Sequence, residues 1–390
     1  MTISRANKGG LADWWFTVDR TAFFVMLALI GIGLMLAFAA SPAATGGPMT
    51  AGDFRYAIKQ IAYALVAGGI MAFTSLLSLR AIKLTAAIVF ALAVIGSCLV
   101  LFTGSEVLGA RRWIDLGFTT LQPSEFLKPS FAVLGAAILA DPIPIKFRRV
   151  TLRKELISFL VLLPALIILT RQPDFGQTAL LLALWAALLF FNGLPMLWTS
   201  ALAGSFGVLL SLFYMFAPDY IRHRIAQFLS NDQVGYQEGL SLKAFEHGGL
   251  VGVGPGAGTI KYRIPDAHSD FIFAVAGEEF GAALCGLIAL LFCILGVRLL
   301  LRASQARDPF AQLAGAALAT VVALQAFINM GVAMNMLPAK GMTLPFISYG
   351  GSSLFAVAMT MGFALSVTRR RPKIGEPDHH AFRFIREAPA

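Results

Sequence analysis

Charge is what this chain has least of. Of its 390 residues only 13% are Asp, Glu, Lys or Arg, against 57% hydrophobic, and the mean hydropathy is +0.75. A soluble domain carries about 25% charged residues, so this chain lacks the polar cover that a water-facing surface needs. Cysteine is scarcer still. Cys98, Cys285 and Cys293 all fall in apolar runs and none in a loop, which excludes a disulfide framework and predicts three small buried hydrophobes. No His/Cys/Asp group has the spacing of a zinc site, and no serine sits in a nucleophile elbow. Covalent catalysis is therefore not signalled. A cleavable signal peptide is not expected either, because the first apolar run starts near Thr21 and is long enough to span.

What the chain has is a series of apolar runs of about 20 residues, the mark of a helical membrane protein. The expected fold class is an all-α polytopic membrane protein with about ten transmembrane helices. They are predicted at 21–40, 56–78, 84–102, 125–140, 155–170, 176–192, 198–217, 270–300, 311–333 and 348–368. One long extracytoplasmic loop, 218–269, separates the seventh and eighth helices. Residues 1–20 and 369–390 read as tails around a membrane domain at 21–368. Trp14 and Trp15 read as an interfacial anchor. The stretch 103–125 is too polar to face lipid and predicts a split or re-entrant segment.

Basic residues orient the bundle. With the N-terminus inside, 19 of the 31 Lys and Arg lie on cytoplasmic segments. They are Arg5, Lys8 and Arg20; Arg80 and Lys83; five from Lys146 to Lys154; Arg298, Arg302 and Arg307; and six from Arg369 to Arg386. Both termini are expected in the cytoplasm and the long loop outside. The net charge of +10 is explained by this bias, so nucleic acid is not an expected partner. The inner stretch KFRRVTLRK is a topology determinant and a contact for anionic membrane lipid.

Three constellations carry chemistry. The first is KYRIPDAHSDFIFAVAGEEFG, 261–281, where Lys261, Arg263, Asp266, His268 and Asp270 crowd the lip of the eighth span. Glu278 and Glu279 follow inside it. Acids at and below a membrane surface mark a functional site by default. Asp270 is the sharpest candidate, with Ser269 as an expected N-cap. A carboxylate simply favoured by the helix dipole is the competing reading. Upstream in the same loop, PDYIRHRI supplies Arg222 and Arg224. The glycine run GGLVGVGPGAG matches no P-loop, and tight turns explain it better than a phosphate cradle.

The second constellation is Arg111, Arg112 and Trp113 followed by Gln122-Pro-Ser-Glu125 and Lys128. Glu125 and Lys128 are spaced i, i+3 and can pair on one helix face, as a structural ion pair or as the wall of a polar cavity. Arginines on the outer side run against the charge bias, and an anionic diphosphate headgroup would explain them. The third is MNMLPAKGMTLPFISYGGSSLF, 334–355. Here Lys340, Thr343, Ser348 and Tyr349 share one outward turn, and Ser352 and Ser353 sit among glycines that let backbones pack closely. Asn329 and Asn335 are expected to hydrogen-bond between helices. In TRQPDFGQT a local Arg171–Asp174 salt bridge is expected.

At these three places the chain resembles the SEDS family (shape, elongation, division and sporulation) of peptidoglycan polymerases. ARRWIDLG with QPSEFLK, PDAHSDFIFAVAGEEFG, and LPAKGMTLPFISYGGSS occur in family order, and the likeness spans roughly 20–370. KGMTLPFIS, with Lys340 and Thr343, and GEEFG are similar to the division branch rather than the elongation branch. The resemblance implies a glycosyltransferase that polymerises lipid II outside the cytoplasmic membrane, at the division septum. It inverts the anomeric carbon and releases undecaprenyl pyrophosphate. It also implies that Asp270 is the essential aspartate of the HxDFIFA motif. Glu125 and Lys128 correspond to the acid and base of QPSExxK, and Arg112 and Trp113 to the preceding Arg-Trp. A class B penicillin-binding transpeptidase and other division proteins are the implied partners. No organic cofactor is implied, and a divalent cation (Mg or Mn) at the diphosphate is left open. A lipid II flippase, an elongation-branch polymerase and a recruiting scaffold are the alternatives.

Overall fold

The computed structural model describes residues 10–45, 54–107, 110–117, 119–141, 146–147, 150–151, 153–195, 197, 236–337 and 341–369. The helices are α1 (Gly10–Thr17), α2 (Arg20–Thr45), α3 (Arg55–Leu76), α4 (Leu79–Thr103), α5 (Leu127–Ala140), α6 (Lys154–Arg171), α7 (Phe175–Phe191), α8 (Tyr236–Gly248), α9 (Ile272–Ser304), α10 (Pro309–Ala333) and α11 (Gly351–Val367). Nine of the ten predicted spans thus meet a helix, while the seventh, 198–217, lies outside the described residues. Five helices, α2, α3, α4, α9 and α10, are long and apolar enough to cross a membrane unaided.

The fold is not wholly helical. In place of a split span, the polar stretch after α4 forms a three-stranded antiparallel sheet. Its strands are β1 (Ser105–Val107), β2 (Ala110–Asp115) and β3 (Thr120–Leu121), with Glu106 opposite Arg111 and Ile114 opposite Leu121. A sheet satisfies the backbone of a segment too polar for lipid. A second two-stranded pair, β4 (Lys146–Phe147) and β5 (Val150–Thr151), joins α5 to α6 at the far end.

Helix α10 is the centre of the bundle. Its most apolar stretch is 67% buried inside the protein, against 22–39% for the other four long helices. Those four turn rows of apolar side chains outward, among them Leu65, Phe73, Leu84, Leu92 and Phe102, which suits hydrocarbon rather than water. Two of the three cysteines share this outward placement. Only Cys285 is buried; Cys98 and Cys293 are exposed, contrary to expectation, because both fall on the outer faces of α4 and α9. The end of the bundle away from the site is closed by ions. Buried Asp19 accepts from Arg298 at 2.9 Å and from Arg302, and it caps α2 through the Ala22 amide.

Helix α9 is not one rod, which corrects the expectation of an unbroken span over 270–300. Gly281 adopts φ 74°, ψ −176° and separates the half-helix Ile272–Phe280 from the remainder. A break orphans backbone groups on both sides, and the glycine run after α8 supplies their partners. The Val253 and Gly254 amides donate to the Glu278 and Glu279 carbonyls, both at 3.0 Å. The Ala282 and Ala283 amides donate in return to the Gly249 and Leu250 carbonyls at 2.9 and 3.1 Å. Such close approach needs bare backbone. A Cβ on Gly252 (φ 82°) would lie 2.2 Å from the Glu279 oxygen, and one on Gly281 would lie 2.4 Å from the Gly252 nitrogen. From Gly281 to Ser304 the helix rises about 36 Å, enough to cross a hydrocarbon core of ~30 Å by itself. Ile272–Phe280 is thereby free to hold chemistry at the membrane edge. Gly281→Ala is expected to cost roughly 1–3 kcal/mol, read as a lower melting temperature in detergent; an unchanged melt would show that the stitch carries no strain.

The acids below the site are held by the same loop. Glu278 accepts the Thr259, Ile260 and Lys261 amides at 2.7, 2.7 and 2.8 Å, and faces His247 Nδ1 at 3.1 Å. Glu279 accepts the Gly256 amide at 3.0 Å and pairs with the Lys261 ammonium, which also donates to the Ala39 carbonyl of α2 at 2.7 Å. Buried carboxylates need this many partners to remain tolerable in a low-dielectric interior. The run therefore does cradle anions, and they are the protein's own.

Candidate active site

Asp270 sits in the turn before α9, not in its first helical turn. The N-cap position is Phe271, with no side-chain cap. Ser269 is not a cap either: its hydroxyl donates to the Asp266 carbonyl at 3.3 Å, and Asp266 itself holds φ 53°. A helix-capping role for Asp270 is thus removed. Its carbonyl accepts Asn329 Nδ2 of α10 at 2.9 Å, and the same amide reaches the Met342 carbonyl. One side-chain amide from the central helix so joins the two loops that bound the site. Gly341 (φ 60°) lies against the carboxylate, and a Cβ there would stand in ordinary contact, 3.4 Å from Asp270 Oδ2. The half-buried Asp270 carboxyl is pushed up to about 7, first by burial, then by the charges of Asp266, Glu125 and Asp174, against the pull of Arg112. A carboxylate poised at neutral pH has the proton affinity of a general base.

Across from it lies a buried polar chain. The Lys128 ammonium donates to Glu125 Oε2 at 2.7 Å and to Gln325 Oε1 of α10 at 3.0 Å. Glu125 Oε1 accepts Gln177 Nε2 of α7 at 2.5 Å. Gln325 Nε2 goes on to the Thr343 carbonyl at 3.1 Å, and the Thr343 hydroxyl meets Ser353 Oγ at 2.5 Å. Five elements are tied by this chain. Glu125 stands in the 3-10 turn Pro123–Phe126 and Lys128 in the first turn of α5, both buried. Arg112 donates to the Gln172 and Pro173 carbonyls at 3.2 and 2.5 Å, which pins strand β2 to the α6–α7 corner. Asp174 makes no Arg171 salt bridge among the described contacts. It caps α7 through the Gln177 amide at 3.3 Å and accepts from Gln122. Burial raises its carboxyl above the usual range, with Arg112 opposing.

The remaining expected residues divide. His268, Ser348, Tyr349, Ser352 and Ser353 gather at the site. The Tyr349 amide donates to the His268 carbonyl at 2.9 Å, and Ser348 Oγ donates to the Ser269 carbonyl at 2.6 Å. Ser352 and Ser353 are buried at the start of α11. Arg111, Trp113 and Arg263 lie on the surrounding strand and turn, with Arg111 and Arg263 exposed. Lys261 is withdrawn. Fully buried and paired with Glu279, it braces the half-helix and presents no charge to an incoming anion. Arg222, Arg224 and Lys340 lie outside the described residues. Gln177, Gln325 and Asn329 were not anticipated as site residues. Gln325 and Asn329, four apart in an apolar helix, carried the usual signal of a polar group inside a membrane.

The family model described as cell cycle protein, which takes in FtsW, RodA and SpoVE, matches residues 20–373. The chain belongs to this family. A Caulobacter vibrioides protein named probable peptidoglycan glycosyltransferase FtsW is 38% identical over 372 residues, 95% of this chain and 94% of its own. A Halorhodospira halophila protein of the same name is 34% identical, covering 92% and 93%. Among solved structures, a chain from a peptidoglycan synthase complex that couples polymerization and crosslinking aligns with TM-score 0.72 at 28% identity. It covers 91% of this chain and 98% of its own. The rod shape determining protein RodA of Thermus thermophilus aligns with TM-score 0.64 at 27% identity, covering 91% and 97%. The FtsW/RodA/SpoVE fold thus extends over every element that builds the site.

Proposed function

We propose that this chain is a peptidoglycan glycosyltransferase that polymerises lipid II, with Asp270 as the general base. The observation that carries the reading is that α10 ties the half-buried Asp270 turn, through Asn329, and the buried Glu125–Lys128 pair, through Gln325, into one site. In this mechanism the Asp270 carboxylate takes the proton of the acceptor sugar's 4-hydroxyl as that oxygen attacks the donor's anomeric carbon. The glycosidic oxygen forms its bond from the face opposite the diphosphate, so the configuration inverts and undecaprenyl pyrophosphate leaves. Arg112 and the exposed arginines around it offset the charge that develops on the leaving group. The Glu125–Lys128 pair holds the wall against which the substrates lie. Among the described residues no three His, Cys, Asp or Glu side chains converge as a cation site, whereas a cation that enters with the substrate's diphosphate needs only one or two protein carboxylates. No step is drawn through one. Incubating the purified protein with lipid II should yield a ladder of glycan strands on a gel; intact lipid II after prolonged incubation would overturn the reading.

The site end is proposed to face outward with both termini in the cytoplasm, on the strength of the basic-residue bias. In a cysteine-free background, Val251→Cys should react with an impermeant thiol reagent added to intact cells, and Gln305→Cys should not. Equal labelling of both would reverse the orientation. A glycan polymerase leaves strands uncrosslinked, so a single-span class B transpeptidase and further division proteins are the proposed partners, at the septum. Co-purification in detergent is the expected outcome; full polymerisation by protein that migrates alone would show that partner to be dispensable for activity.

A further inference from the structure

Two residues before Asp270, a group of rings has been left out of the mechanism. Tyr56 at the start of α3, His268 in the catalytic turn and Tyr349 before α11 come together from three parts of the chain. Their ring centroids lie 4.8 Å (Tyr56–His268), 5.4 Å (His268–Tyr349) and 5.1 Å (Tyr56–Tyr349) apart. The interplanar angles are 44°, 51° and 87°. The three pairs are tilted or edge-to-face rather than stacked in parallel. All three are half-buried, neither sealed in the interior nor free in solvent.

The group is also held rigidly from behind. Tyr63, about two helical turns from Tyr56 along α3 and itself 6.0 Å from Tyr349, meets Thr119 Oγ1 through its hydroxyl at 2.9 Å. Its ring lies against Gly351, where an added Cβ would stand 3.2 Å away. The Tyr349 amide bond to the His268 carbonyl fixes the third ring to the turn that carries Asp270. Its charge character is as telling as its shape. Burial holds the His268 imidazole below its ordinary range, so near pH 7 that ring is neutral. Among the described residues the cation placed on the three rings is Arg55, 5.3 Å from the Tyr56 centroid, on an exposed residue at the rim.

We propose that Tyr56, His268 and Tyr349 form a saccharide subsite that seats one N-acetylhexosamine ring of the substrate beside Asp270. A pyranose has one face of axial C–H bonds, apolar and weakly positive, and a rim of hydroxyls. Aromatic faces carry the complementary negative quadrupole, and Tyr and His also bring a polar tip for the hydroxyls. A diphosphate would call for cations instead, and those stand elsewhere, at Arg111 and Arg112. The proposal rests on the glycosyltransferase reading and adds to it which residues grip the sugar rather than the diphosphate.

The test separates the two. Tyr56→Leu removes the π-face and Tyr56→Phe keeps it. Polymerisation by the Leu variant should show a KM for lipid II raised several-fold, up to about tenfold (a tenfold change being about 1.4 kcal/mol), with kcat changed much less. The Phe variant should stay within about threefold of the parent. Tyr56→Trp supplies a second readout that needs no turnover. Its fluorescence should change on titration with lipid II in nanodiscs and stay constant with undecaprenyl pyrophosphate, which has the same tail and diphosphate but no sugar. An equal response to both ligands, or no response to either, would overturn the subsite, as would an unchanged KM in a folded Tyr56→Leu. A protein that shows the sugar-dependent change yet makes no glycan would keep the subsite and sink the polymerase reading instead.

Discussion

Asp270→Asn is expected to leave a folded protein that polymerises lipid II about 10² to 10⁴ times more slowly, the usual loss on removing a general base. The substitution keeps the size of the side chain and leaves the Asn329 bond intact, because that bond goes to the Asp270 backbone carbonyl. Stability should not fall. The carboxyl has been pushed up to about 7 from its ordinary 3.8, chiefly by burial, so between those values the folded state binds more protons than the unfolded one. Ionising it therefore destabilises the fold as pH rises toward 7. Asn carries no such charge, and the variant should melt no lower than the parent at pH 8. The same shift predicts the parent's pH profile: kcat falls about tenfold per unit below pH 7 as the base is protonated, and levels off above it. Asp270→Glu should be nearly as slow as Asn, because its oxygens move by one methylene from a geometry set for proton transfer. Near-normal polymerisation by Asp270→Asn, at normal expression, would remove Asp270 from the mechanism.

Lys128→Met should be the most destabilising of the site substitutions. It leaves the Glu125 carboxylate buried with Gln177 as its remaining partner, and breaking one side of a buried pair costs about 3–5 kcal/mol. Glu125→Gln strands the ammonium in the same way, though Gln325 still accepts one of its hydrogens. If the two act as one wall, each single variant loses most activity and the double variant Glu125→Gln/Lys128→Met loses little more. Its melting temperature should also recover toward the parent, because both charges have gone. Fully additive losses in activity would show instead that each side chain touches substrate independently.

Much of this site was legible in order along the chain. An acid at the end of an apolar run is costly wherever it lies, so Asp270, Glu125, Glu278 and Glu279 announce themselves without coordinates. The i, i+3 spacing of Glu125 and Lys128 was enough to anticipate their pair, which forms at 2.7 Å. Spacing could not say that Gln325 and Gln177, far away in sequence, complete it. Nor could it separate two lysines of similar setting. Lys128 joins the buried chain that runs through Gln325 to Thr343, and Lys261 braces a half-helix, a difference made by which carboxylate lies within reach.

Hydropathy by itself determined that this is a helical membrane protein and roughly where each described span runs, because lipid forces every backbone to satisfy itself within a helix. It also placed Asp270 at a helix lip, while the likeness to the family lay in the residues of three motifs and their order along the chain. Only the tertiary structure decided that α9 is broken at Gly281, that the glycine run mends the break, and that three rings from α3, the turn before α9 and the start of α11 meet near Asp270. Apolarity is a property of single residues read in a row, whereas a mended helix and a shared pocket depend on which backbones approach within a few ångströms.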